Sequence, residues 1–286
     1  MRFPIILFFS ISSLLLYSCN QNRNSVVISP KINVEDSVSN EIEDTITTVD
    51  IIDSTYDEYY YEYPVLDSAA VDINFQKKGT YAGLKSKMKI MQQQLNEEYL
   101  LLNDSISKRH FRDSVALVLT DILLNDFFPF WYGTTWDYDG ITETPGEGSI
   151  ACGYFVSTTL KHLYFNLNRY KLAQQSGLTG AKTIQMGEDI RKFYPSENKD
   201  ITEILRLNLK EGLYQVGLSC HVGYLLIRNN EVYFIHSNYM HSGVMIERAA
   251  DSDAFVSNIY VISDITYNDK LTEKWILHEF IPIIKA

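Results

Sequence analysis

Cysteine is scarce in this chain, three in 286 residues, and Cys19, Cys152 and Cys220 lie far apart. The close-spaced Cys pairs typical of structural zinc are therefore missing, and a Zn site built from Cys152, Cys220 and histidines is disfavoured. Basic side chains are also few: 25 Lys and Arg face 36 Asp and Glu. No basic stripe with interleaved aromatics occurs, so the electrostatic footprint of a nucleic-acid-binding surface is absent. The acidity is local. Residues 19–63 hold ten acidic and two basic side chains, which leaves a net charge of about −4 for residues 64–286. With 45% hydrophobic and 13% aromatic residues, the remainder can bury one globular core.

The N-terminus has the layout of a secretory signal: Arg2, an apolar run from Phe3 to Tyr17, then Ser18 and Cys19. The run is too short and wrongly flanked for a stable membrane span. Leu16-Tyr17-Ser18-Cys19 resembles a bacterial lipobox, in which the cysteine becomes the lipid-bearing first residue; Tyr17 is bulkier than the usual occupant of its slot. That resemblance implies cleavage after residue 18 and anchoring to a membrane through Cys19. Asn20 and Gln21 follow in place of an acidic residue, which implies outer-membrane retention facing the periplasm. Residues 19–75 read as an acidic tether, because Ser, Asn, Thr, Asp and Glu bury too little apolar surface to offset their ordering entropy.

Within residues 76–126, between Leu84 and Asp126, apolar side chains recur at helical spacing, among them Met88, Met91, Leu95 and Tyr99, then Val115, Leu119 and Ile122. Asn103-Asp104-Ser105 reads as a break followed by an N-cap, giving an N-terminal helical extension of two helices. Residues 127–286 form the second unit. Its aromatic, Gly-containing opening and turn-rich segment Thr142–Ser149 precede a helical pattern over Ile150–Leu172 and shorter helices near Pro195. Strands are expected at Leu218–Ile227, Val232–His236, Val244–Arg248 and Ile259–Ile262, with Arg228-Asn229-Asn230-Glu231 as a hairpin turn. Helices first and an antiparallel sheet afterwards predict an α+β domain.

Three segments carry chemistry: Ser149-Ile-Ala-Cys152-Gly-Tyr-Phe-Val-Ser157, His221-Val-Gly-Tyr-Leu225 and Phe234-Ile-His236-Ser-Asn238. A thiol is a nucleophile as its thiolate, and a helix N-terminus beside an imidazole favours that form. Cys152 follows a loop and opens a helix, so free backbone N–H groups point where its sulfur points, as an oxyanion hole requires. His221 begins a strand and can serve as base. Antiparallel pairing brings His236 level with it as the group that orients its ring, with Asn238 and His241 as rivals. Taken singly, each has a plain alternative: a buried cysteine, two satisfied strand histidines, or a Cys152–Cys220 disulfide.

In this order the segments resemble the NlpC-type papain-like cell-wall peptidases over roughly Trp131 to Arg248. Ala-Cys152-Gly-Tyr-Phe-Val resembles the family's Asp-Cys-Ser-Gly-Phe-Val block, His221-Val-Gly-Tyr its His-Val-Gly-Ile-Tyr strand, and Phe-Ile-His236-Ser-Asn the hairpin that ends in a catalytic histidine. The resemblance implies a helix-borne cysteine packed on an antiparallel sheet, with Cys152 as nucleophile, His221 as base and His236 as orienter. Trp131-Tyr132-Gly133 resembles the Tyr/Trp-Gly-Gly stretch, which makes Tyr132 the oxyanion candidate. It also implies amide hydrolysis in peptidoglycan stem peptides without metal or cofactor. Departures are the long loop Thr135–Gly148, Ala151 in place of Asp, and Lys210–Val216 where the family has a Gly-Asp-Leu turn. They keep open an amidase or acyltransferase on another substrate, or a non-catalytic lipoprotein retaining the fold.

Overall fold

A computed structural model describes residue 66, residues 71–197 and residues 199–285. The signal segment, Cys19 and most of the expected tether lie outside the described residues. The break at residues 103–105 is where the sequence puts it. Helix α1, Tyr81–Leu101, ends there, and α2, Ser105–Ile122, starts on Asp104, whose carboxylate accepts from Ser107 N–H at 2.8 Å. Instead of ending at residue 126, the helical path continues through a π-helical turn, Leu123–Phe127, into α3, Phe128–Trp131. Its apolar side chains, including Leu123, Leu124, Phe127 and Phe128, are fully buried in a core shared with the sheet.

The pattern over Ile150–Leu172 resolves into two helices, α4, Cys152–His162, and α5, Arg169–Ala173, separated by a turn in which Tyr164 adopts φ 79°. Then follow α6, Gly177–Ile184, strand β1, Arg191–Phe193, and α7, Ile201–Asn208. The remaining strands are β2, Gly212–Gly217, β3, Val222–Arg228, β4, Glu231–Asn238, β5, Gly243–Arg248, and β6, Tyr260–Asp264; α8, Asp269–Ile276, closes the chain. All described pairs are antiparallel and the order is β1-β6-β2-β3-β4-β5. Asn229 and Asn230 both take positive φ between β3 and β4, the backbone of a two-residue primed turn. The domain is α+β, with helices packed on an antiparallel sheet.

The sheet has two apolar faces. Leu213, Tyr224, Leu226 and Ile235 face the main helical layer, and Tyr214, Val216, Leu225 and Phe234 face a second cluster with Leu205 of α7 and Phe255. A buried link fixes α4 on β3: the Tyr224 hydroxyl meets Thr159 Oγ1 at 2.7 Å and donates to the Val156 carbonyl at 3.1 Å. Phe128, Phe155 and Tyr224 pack ring on ring beside it.

Candidate active site

Cys152 is the first residue of α4, and the N-cap before it, Ala151, has no side chain able to cap. The first-turn N–H groups that a Ser or Asp would satisfy are left for the sulfur, which is met by the backbone N–H of Cys152, Gly153 and Val222. The thiol is free and half-buried, so the Cys152–Cys220 disulfide is excluded. The segment leading to it is held from several sides. Ser237 Oγ donates to the Ile150 carbonyl at 2.6 Å, Ile150 N–H donates to Thr135, and Ala151 N–H donates to Gly140. Thr135 also bridges Gly243, which attaches this long loop to the edge of β5.

Val222, whose N–H faces the sulfur, directly follows His221. That histidine is buried in the turn between β2 and β3, where its carbonyl accepts from Leu218 N–H at 2.8 Å. His221 Nε2 lies 2.7 Å from His236 Nδ1, so among the three proposed orienters it is His236 that reaches it. Asn238 instead accepts from Met240 N–H and His241 N–H through Oδ1. Gly223 makes the close pairing of β3 with β4 possible here. A Cβ on it would lie 2.8 Å from the His236 Cβ and 2.6 Å from the Phe234 ring.

The network extends to a residue the sequence did not single out. His236 Nε2 lies 2.8 Å from Glu247 Oε1, and the same oxygen accepts from Ser252 Oγ at 2.5 Å and Asn238 Nδ2 at 3.2 Å. The β4–β5 register pairs Phe234 with Glu247 and His236 with Met245, which puts Glu247 diagonal to His236 on one face. That diagonal was the available signal, but a glutamate near the end of a strand ordinarily reads as solvated.

Tyr239 and Trp136 flank the group. The Tyr239 ring packs edge-on against His221 at 5.2 Å and tilted against Trp136 at 6.2 Å, and its phenol is pushed up by burial and then by the charge Cys152 would carry. The expected aromatic loop thus divides. Trp136 stands by the site and Tyr138 is exposed, while Trp131 is fully buried and donates from its indole to Tyr81. Tyr132 packs edge-on against Phe75 with its hydroxyl buried and without a hydrogen-bond partner. Among the described contacts, no hydrogen bond or ring contact joins Tyr132 to Cys152 or His221.

Comparison with family models, with characterised proteins and with solved structures gives no match. Burial pushes the Cys152 thiol up, against the opposing pull of the three N–H groups. Burial and then the neighbouring His236 hold His221 well below the ordinary imidazole range, and burial followed by the His241 charge does the same to His236. At rest both the Cys152 thiol and the His221 imidazole are neutral. Such an arrangement suits a base that takes the proton as the sulfur attacks. Among the described residues no cluster of His, Cys, Asp and Glu has the geometry of a metal site.

Proposed function

We propose that this chain is a papain-like cysteine hydrolase of NlpC type that cleaves amide bonds, with Cys152 as nucleophile and His221 as general base. The observation that carries the reading is the run from helix tip to strand: an uncapped thiol met by backbone N–H groups, one of them from Val222, the residue that follows a histidine hydrogen-bonded to a second histidine. The Cys152 S–H proton passes to His221 Nδ1 as the sulfur adds to the amide carbonyl. Backbone N–H groups that now meet the sulfur are close to where the new oxyanion forms. The tetrahedral adduct then collapses, the C–N bond breaks, and the imidazolium returns its proton to the leaving amine. Water, deprotonated by His221, hydrolyses the thioester and restores the thiol. Tyr132, whose hydroxyl stands unpartnered against Phe75, is given no step.

Peptidoglycan stem peptides are the proposed substrate, supported by the three sequence blocks and by a leader that resembles a lipobox. Anchoring through Cys19 would put the enzyme at the outer membrane facing that polymer. Incubation of the full chain with muropeptides should release new amino groups, detected by reaction with an amine reagent, and Cys152→Ala should release none. Absence of new amine from an enzyme whose Cys152 still forms an acyl adduct would move the assignment to another amide.

A further inference from the structure

The contacts around Glu247 determine more than the orientation of His236. Three donors converge on one oxygen: the His236 ring at 2.8 Å, the Ser252 hydroxyl at 2.5 Å and the Asn238 amide at 3.2 Å. A carboxylate oxygen so surrounded can only accept, so His236 must carry its hydrogen on Nε2 to satisfy the contact. With its hydrogen there, neutral His236 presents a lone pair at Nδ1. The atom facing that lone pair at 2.7 Å is His221 Nε2, which must then be the protonated nitrogen of its own ring. The basic nitrogen of His221 is by elimination Nδ1.

We infer that Glu247 is a positioning residue which, through His236, fixes the tautomer of His221 so that Nδ1 is the free base for Cys152. The inference rests on the catalytic reading of Cys152 and His221 and adds the source of the proton order. Each ring in the sequence Glu247, His236, His221 passes on one binary choice, and the choice is made at the carboxylate. The order does not need the negative charge. A proton on Oε2 would leave Oε1 an acceptor for the same three donors, and a glutamine amide would put its carbonyl oxygen in that place with its NH2 at Oε2. Ser252 and Asn238 hold the accepting atom where it is, which a lone glutamate at the end of β5 would not ensure.

The direct test needs no variant: long-range 15N–1H correlation spectra of histidine-labelled protein at pH 8 report which nitrogen of each ring carries hydrogen. Both His221 and His236 should be Nε2–H tautomers. An Nδ1–H ring at either position overturns the inference, whatever the protein does to amides. The companion test is alkylation of Cys152 by iodoacetamide at pH 7. Glu247→Ala should lower the rate about tenfold or more and give mixed histidine tautomers, while Glu247→Gln should stay within about threefold of the parent and keep the Nε2–H pattern. Equal loss in both variants would assign Glu247 an effect of charge, and a parental rate in Glu247→Ala with unchanged tautomers would remove it from the site; either result overturns the proposal. If amide cleavage proved absent while the tautomers stood as stated, the enzymatic reading would fail and the proton order would survive.

Discussion

His221→Ala should slow alkylation of Cys152 by iodoacetamide at pH 7 by about 10²-fold, the lower end of what removal of a positioned general base costs. The reason lies in the resting charge state. Burial raises the Cys152 thiol, so little thiolate exists near neutrality, and the reaction depends on transfer of the S–H proton during attack. Without His221 only the small thiolate fraction reacts. The parent rate should therefore change little with pH while the chain stays folded, because buried His221 is already neutral there, whereas the variant rate should climb steadily with pH towards the ordinary thiol range and beyond. Equal rates for the two proteins at pH 7 would mean that the imidazole does not act on the sulfur.

The second large effect is on stability. Three histidines are buried and held neutral: His221 and His236 well below the ordinary range, and His162 lowered to about 4 by burial first and then by Lys85, Arg169 and Lys161. In the unfolded chain each takes a proton near its ordinary value of 6.5, while the folded chain refuses it. Stability is thus complete above that value and is lost as pH falls from it towards the folded values. Each group removes at most about 1.4 kcal/mol per pH unit within its window, so the three together remove up to about 4 kcal/mol per unit. Glu247, raised by burial, takes up its proton early in the folded state and offsets part of this loss above pH 4.5. Against a typical domain stability of about 5–15 kcal/mol, the urea midpoint should drop steeply between pH 6 and pH 5 and continue to fall towards pH 4. A midpoint constant from pH 7 to pH 5 would contradict the buried, neutral state of these rings.

How much of this was legible in the sequence depends on whether a feature is local. The helix break at Asp104 and the Asn229-Asn230 turn are set by capping and positive-φ chemistry, and both are where the sequence puts them. The meeting of His221 with His236 was legible only in outline, because His221 was expected to begin a strand level with His236 and instead sits in the turn before β3, outside the ladder that starts at Tyr224 and Ile235. Strand β2 was not legible: Gly-Leu-Tyr-Gln-Val-Gly is central and buried along almost its whole length, so it shows no alternation of polar and apolar residues. The three residues of β1 exist as a strand only through β6. The helical path runs past residue 126 because Phe128, Phe130 and Trp131, which read as an aromatic opening, are buried in the shared core and stay helical. Glu247 and Ser252 escaped because their role arises from a register between strands and a turn beyond β5, which no spacing within one segment displays.

The central claim is that Cys152 accepts an acyl group. Acid-quenched full-length protein, taken within the first turnovers on p-nitrophenyl acetate and digested for mass spectrometry, should carry acetyl on Cys152, with nitrophenol released in a burst that His221→Ala abolishes. Acetyl found only on lysines, or a burst unchanged in Cys152→Ala, would contradict the account.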